Sequence, residues 1–486
     1  MTTPVSLLRA PKMHALKQEG QRYCRAYQTA LRVLERNCVT RPEALIQAGG
    51  CYPDAWTRDT AYNTWMGCNL LCPELARATL LKPIRIGGDK EISGLTHPAQ
   101  PEKYDQYWDK MLWTVAALDY AELNRDLNFL TMSYEVSAAT LDKLEKRHIH
   151  PEYGLLLGPA FLCDGIGSLP ADICSPEVVH PPYSNVMDYE APHQIMTLSS
   201  NCILVGAYRA MAKMARKLHT GMERQYERKA QALCRQINAH LWNQKQGRYD
   251  FFTYGFSEKA GTNCTIQEGA GQALAVLFDV ADNEQCKSIF RHIHTEPWGI
   301  PLSWPSMENH YIGSARFLPE ASGYDTPQNV AIWPNVCSLW GRACAMKGME
   351  APFIKELNSL TELILRSDDT ICEIYHALTG KSHLKYHEEK RDQTWSATAY
   401  LNMILHGMLG LRYDGEHLQF HPILPGECGE ICFDSLVLQN GRWNIRLIGE
   451  GTEIQSILMD DQLVDSPCFP MDDSEHFLTM RLKKKG

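Results

Sequence analysis

The feature that most restricts the fold of this chain is the alternation of connection lengths between its amphipathic stretches. Apolar residues recur at three- and four-residue spacing over roughly 14–37, 59–83, 108–125, 127–147, 192–217, 221–241, 267–280, 283–295, 329–347, 352–366 and 392–410. That is the period of helices with one buried face. Some of the links between them are very short. Others are long and rich in Gly, Pro, Trp and Tyr, notably 84–107, 148–191, 297–328 and 370–391. Short links join antiparallel neighbours, whereas loops this long in a compact chain usually carry function. The alternation predicts a mainly α fold, a closed ring of helical hairpins with a cleft on the long-loop side. No repeat of residue identities accompanies the pattern, so the ring rests on element order alone.

After Gly410 the pattern changes. The segments Leu411 to Pro425 and Ser435 to Val464 carry alternating apolar residues and Gly-containing turns, which predicts a small antiparallel β unit over 412–486 beside a helical domain over 1–411. Asn440-Gly441, between two alternating runs, is a hairpin signal. Nothing in the β unit looks catalytic, and its expected role is to cover one side of the helical domain.

Composition excludes several classes of function. With 44% apolar and 22% charged residues, the chain has the side chains for a sizeable core. A formal net charge of -9 with dispersed Lys and Arg gives no surface for tracking phosphates, so no nucleic-acid partner is expected; Lys483, Lys484 and Lys485 read as a solvated tail. No apolar run resembles a signal-peptide core or a membrane span, and the expected location is the cytoplasm. The 17 cysteines are odd in number and scattered through apolar segments, as reduced thiols packed as small hydrophobes would be. Cys68 with Cys72 and Cys428 with Cys432 lack the companions of a zinc site. In a cytoplasmic chain the sequon at Asn263 has no meaning.

Three segments carry chemistry. In Tyr52-Pro-Asp-Ala-Trp56-Thr-Arg58-Asp59, a neighbouring Arg and Asp can grip two adjacent hydroxyls of one sugar while Trp56 offers a flat apolar face. The same residues also fit an ordinary helix start with a solvent-facing Arg. In Gly158-Pro-Ala-Phe-Leu-Cys-Asp164-Gly165, an acid lies among apolar residues and glycines; such surroundings keep a carboxyl protonated near neutrality, as a general acid requires. Asp-Gly is also a common turn pair, and Asp172 and Asp188 compete for the role. In Asp369-Thr-Ile-Cys-Glu373-Ile-Tyr375-His376, Glu373 lies just past a helix end in an apolar, aromatic stretch where it could deprotonate a water. A salt-bridged loop Glu is the plain alternative.

Taken together, these segments resemble the six-hairpin glycosidases, the (α/α)6-barrel group that includes glucoamylase, the processing α-glucosidase I family and exo-acting α-mannosidases. The resemblance runs through most of residues 50–425. Trp56-Thr-Arg58-Asp59 is similar to the W-x-RD segment that forms the subsite for the non-reducing sugar. Glu373-Ile-Tyr375-His376-Ala-Leu-Thr379-Gly380 is similar to the E-x-Y-x-x-x-T-G stretch whose Glu is the general base, and Asp164 falls where those families place the general acid. Trp333-Pro334, Trp395-Ser396-Ala397 and Phe420-His421-Pro422 also have counterparts. The α-glucosidase I relatives surround their acid with a D-N-S-P type segment, which this chain lacks, and the glucoamylase-type acid is a Glu, which brings in Glu190 and Glu268. Trp304-Pro-Ser-Met-Glu308-Asn309-His310 has the composition of a sugar-binding loop.

The resemblance implies an inverting, exo-acting glycoside hydrolase on an α-linked oligosaccharide or glycoside. Asp164 and Glu373 would be the catalytic pair, and Trp56, Arg58, Asp59, Trp304, Trp333, Tyr375, His376 and Trp395 the sugar contacts. It implies a carbohydrate as partner, no membrane, and neither metal nor organic cofactor. A glycoside phosphorylase on the same barrel, with His376 and Lys381 near phosphate, is the first alternative. A histidine-based sugar isomerase or epimerase and a non-catalytic carbohydrate-binding protein are the others. The sugar and the oligomeric state are not legible.

Overall fold

The computed structural model describes residues 7–86, 88, 90–94, 106–162, 169–170, 173, 190–307, 330–382 and 391–483. Among these residues there are twelve α-helices of seven residues or more. They are α1 (Gln21–Asn37), α2 (Thr57–Asn63), α3 (Pro73–Ile86), α4 (Lys110–Asn124), α5 (Leu127–His148), α6 (Leu198–Lys217), α7 (Glu223–Leu241), α8 (Gly269–Leu277), α9 (Asn283–His292), α10 (Pro334–Met346), α11 (Glu350–Leu365) and α12 (Thr394–Asn402). The even-numbered helices pack on one another in the order α2, α4, α6, α8, α10, α12 and back to α2. They form a closed inner ring, with the odd-numbered helices outside it, and the chain is an (α/α)6 toroid.

Burial separates the two sets. Every residue of α2 and of α12 is buried, and so is most of α6, α8 and α10. Inner helices touch protein all round, so they carry small and apolar residues without a polar face. In α8, a Cβ at Gly269 would lie 2.3 Å from the Pro301 carbonyl oxygen, a closeness that only glycine tolerates. The outer helices keep one apolar stripe. Thus α7 buries Tyr226, Ala230, Leu233, Ile237 and Leu241, while α1 turns Tyr23, Tyr27, Ala30 and Leu34 inward. Local caps set several starts: Asp282 and Gln285 make a reciprocal capping box at α9, and the Asp126 carboxylate accepts the Phe129 N–H at α5.

The connections sort by direction. Each long link leads from an outer helix to the next inner one, over 38–56, 87–109, 149–197, 242–268, 293–333 and 366–393. The inner-to-outer links are short, over 125–126, 218–222, 278–282 and 347–349. All six inner-helix N-termini therefore share one end of the toroid with all six long links, and this end is the mouth.

Three helical stretches differ from the sequence expectation: 192–217 opens with a single tight turn and a strand over Ile195–Thr197 before α6 begins. The run 59–83 is two helices, because the backbone passes through a π turn over Thr64–Cys68 with Gly67 at φ 145° and restarts at Pro73, a residue suited to a helix's first turn. The run 14–37 begins as a strand, Lys12–Ala15, before α1.

That strand joins the C-terminal sheet, whose order is 12–15, 430–438, 441–448, 475–482, 454–459, 462–464. Neighbours are antiparallel except 441–448 with 475–482, which run parallel. The hairpin at 438–441 pairs Leu438 with Gly441, so its turn residues are Gln439 and Asn440, one position before the expected pair. Gly441 sits on the ladder, where an added Cβ would lie 2.3 Å from the Asp472 carbonyl oxygen. No helix among the described residues is long and apolar enough to cross a membrane. The fifteen cysteines among them are free thiols.

Candidate active site

The mouth gathers side chains from links far apart in sequence. Trp56 is the extended residue ahead of α2, so Arg58 and Asp59 enter in the first turn of an inner helix, and each is only 4% exposed. The Arg58 guanidinium donates from Nη1 to the Phe161 carbonyl oxygen at 2.9 Å. It also lies 3.9 Å from Asp109 Oδ1 and 5.6 Å from the centre of the Trp395 ring. Three neighbours thus fix its plane, a geometry suited to forked donation. Beside it, Tyr52 packs on Trp56 with ring centroids 4.7 Å apart. The Tyr52 phenol is pushed well above its ordinary range, first by burial and then by the negative charges of Glu373, Cys51 and Asp59.

Glu373 is held by its loop rather than by a helix. Tyr375 exchanges both backbone hydrogen bonds with Ile332, at 2.9 Å each, which ties the loop to the residue before Trp333, the cap of α10. The Tyr375 ring is fully buried. Its hydroxyl accepts the Cys372 N–H at 3.0 Å and pairs with the Ser367 hydroxyl at 3.1 Å, so this side chain braces the turn that bears Glu373. His376 likewise turns Nδ1 inward, accepting the N–H groups of Leu378 and Thr379 at 3.1 Å. Trp395, in the first turn of α12, meets Trp333 edge to face with centroids 6.1 Å apart. The two form an aromatic wall beside Arg58.

Of the acid candidates, Asp164, Asp172 and Asp188 lie outside the described residues, as do Glu308, Asn309 and His310. The backbone leading to Asp164 is described through Leu162, and the first turn of α6 grips it. Asn201 accepts the Leu156 N–H at 2.7 Å and donates to its carbonyl at 3.1 Å. Ser200 donates to Pro159 O at 2.6 Å, and Ser199 Oγ accepts the Phe161 N–H at 2.9 Å. Glu190 is exposed and accepts from Gln194 at 3.0 Å. Glu268 is buried at the cap of α8, where loss of solvation pushes its carboxyl up to about 8. Trp304 is 36% exposed and stacks on His294 at 4.0 Å, whose Nε2 is bonded to Glu296 at 2.8 Å.

The structure thus brings Trp56, Arg58, Asp59, Trp333, Glu373, Tyr375, His376 and Trp395 to one mouth, with Trp304 on the link before α10. The sequence reading missed Tyr52, Asp109 and the Ser199-Ser200-Asn201 clamp. Asp109 follows Trp108 just ahead of an inner helix, the position that also marks Trp56 and Trp333.

A helical toroid whose mouth presents a Trp wall, a buried Arg and Asp, and a loop carboxylate defines the class: a glycosidase of the (α/α)6 type. The architecture is similar to that of the mannosylglycerate hydrolase of family GH63 from Thermus thermophilus in complex with Tris, with TM-score 0.57 and 16% identity over 78% of this chain and 100% of that one. It is also similar to a sialidase, with TM-score 0.66 and 14% identity over 96% of this chain, and to a GH78 rhamnosidase of Bacillus sp. GL1, with TM-score 0.60 and 14% identity over 98%. The chain spans 41% of the sialidase and 44% of the rhamnosidase. At these identities the likeness concerns the fold. No curated protein matches the chain. The family is given by sequence: residues 112–396 match the mannosylglycerate hydrolase MGH1-like glycoside hydrolase domain, more than half of the chain. The protein belongs to that glycoside hydrolase family.

Proposed function

We propose that the protein is an inverting, exo-acting hydrolase of small α-linked glycosides, with Asp164 as general acid and Glu373 as general base. The terminal sugar is gripped by Arg58 and Asp59 and flanked by Trp56, Trp333 and Trp395. Tyr375 and His376 contribute by holding the Glu373 loop, and Trp304 meets the aglycone side. Asp164 protonates the glycosidic oxygen as the bond to the anomeric carbon breaks. Glu373 takes a proton from a water attacking the opposite face, a single displacement that needs carboxyl groups about 6.5–9.5 Å apart. The reaction calls for no cofactor, and the expected partner is a carbohydrate substrate. On this reading residues 1–411, apart from the 12–15 strand that joins the C-terminal sheet, are the catalytic domain and 412–486 the β domain, and the expected location is the cytoplasm.

The observation that carries the reading is the position of Glu373, in a turn that Tyr375 braces and ties to the residue before the cap of α10. Since the family and several similar structures bear the name of mannosylglycerate hydrolase, α-mannosylglycerate is the first substrate to test, ahead of α-glucosides and α-rhamnosides. Purified protein is incubated with these glycosides with and without phosphate, beside Glu373→Gln. Free sugar that forms regardless of phosphate and is lost in Glu373→Gln supports the reading. A sugar 1-phosphate formed only with phosphate makes the protein a phosphorylase, and unchanged turnover in Glu373→Gln removes the base assignment.

A further inference from the structure

Glu268 lies on the link before α8, away from the Glu373 loop, and is 1% exposed. Its Oε2 accepts the Ser199 backbone N–H at 3.1 Å. Ser199 Oγ in turn accepts the Phe161 N–H at 2.9 Å, and the Phe161 carbonyl oxygen accepts Arg58 Nη1 at 2.9 Å. Every donor in this series points the same way, from Arg58 through Phe161 and Ser199 to Glu268. Each bond fixes the residue that makes the next, so together they hold the backbone at Phe161 against the first turn of α6. The fit at the far end is tight, because a Cβ on Gly271 would lie 2.4 Å from Glu268 Oε2. The other oxygen, Oε1, is buried without a hydrogen bond among the described residues, so the carboxyl is committed to Ser199.

We propose that Glu268 is a positioning residue for Arg58, setting the guanidinium that grips the terminal sugar by holding Ser199 and, through it, the backbone of Phe161. Loss of solvation keeps the Glu268 carboxyl protonated near neutral pH, so the relay ends on a neutral group and adds no charge to the mouth. The inference rests on the reading of Arg58 as a sugar contact.

A double-mutant cycle tests it. The variants Arg58→Lys, Glu268→Ala and the pair are compared by kcat/KM on α-mannosylglycerate, or on the glycoside that proves to be turned over. Removing a hydrogen bond to a charged group predicts about a 10- to 100-fold loss for Arg58→Lys, and a smaller loss for Glu268→Ala. If Glu268 acts through Arg58, the pair is no worse than Arg58→Lys alone within about threefold, whereas independent sites give losses that multiply. Glu268→Gln keeps the acceptor and restores most of the activity with an unchanged pH profile. Glu356 supplies the control. It is an equally buried carboxyl, but it holds the Ile300 N–H at 3.3 Å, so Glu356→Ala with Arg58→Lys gives multiplying losses.

Multiplying losses for Glu268→Ala, or a Glu268→Gln variant as poor as Glu268→Ala, overturn the relay. If Glu268→Ala does not fold, Ser199→Ala breaks the same series one link earlier and takes its place in the cycle. An unchanged kcat/KM in Arg58→Lys removes the sugar-binding role of Arg58 and the relay with it. That outcome differs from a relay that fails while Arg58→Lys still loses activity.

Discussion

The two ends of the toroid both hold polar side chains among packed elements, and they do so in different ways. At the end opposite the mouth, the groups come from the C-terminal halves of inner helices and from the segments that follow them, and they close on one another. Asp119 accepts from Asn69 at 2.6 Å and from the Tyr413 hydroxyl at 2.9 Å. Arg342 donates to the Trp65 carbonyl at 3.1 Å and lies 4.7 Å over the Trp65 ring. His406 bonds to the Leu411 carbonyl at 2.9 Å, and burial drives its pKa down to about 3. Tyr413 and Leu411 belong to the first strand after α12, so this end fastens the barrel to the segment that leads into the β unit. At the mouth the polar groups arrive on the long links and on the first turns of the inner helices they lead into, and Arg58 has a ring, a backbone carbonyl and the Asp109 carboxylate as its neighbours. Short connections let charge serve cohesion, while long ones let it be arranged around a ligand.

The comparison yields predictions in descending size. Glu373→Gln removes a base from the mouth and is expected to lower kcat by about 10²–10⁴-fold with an unchanged melting temperature. A matching loss of stability would place Glu373 among the cohesive groups. Asp119→Ala does the reverse: it removes the acceptor shared by the buried Asn69 and the half-buried Tyr413 and is expected to cost about 1–3 kcal/mol of stability by denaturant titration while kcat stays within twofold.

Glu268 links stability to pH. Its folded-state pKa of about 8 lies above the ordinary 4.5, so its contribution is fully present below about 4.5, falls as the unfolded chain ionises first, and is gone above about 8. Glu268→Gln should flatten the decline of the urea midpoint over that window, and an unchanged slope would mean that the carboxyl ionises normally in the fold. The smallest effect is expected from Trp304→Ala. Loss of one stacking surface should raise KM about three- to tenfold with little change in kcat, and only for substrates with an aglycone large enough to reach it.

Much of this architecture was legible because connection length and helical period are local in sequence. The alternation of short and long links gave the ring of hairpins, and apolar alternation after Gly410 gave the sheet. Where the reading slipped, the cause was a contact distant in sequence. Lys12–Ala15 extends the helical pattern until the 430–438 strand is present to pair with it. Gly67 and Pro73 divide 59–83 without interrupting its apolar period. At the site, motif-like clusters such as Trp56-Thr-Arg58-Asp59 were visible. Asp109 was not, because an Asp just ahead of a helix looks like a cap until Arg58 is seen 3.9 Å away. The α6 clamp was invisible for the same reason: Ser199, Ser200 and Asn201 look like an ordinary polar turn of helix until they are seen bonded to the backbone of 156–161.

The most direct test of the account is the anomeric configuration of the first sugar released, followed by proton NMR before mutarotation, from the glycoside that the wild-type protein turns over. An α-glycoside giving the β-sugar first is the predicted result, the mark of one displacement by a water that Glu373 activates. The α-sugar appearing first would require two displacements through a covalent intermediate and would contradict the assignment of Glu373 as a base.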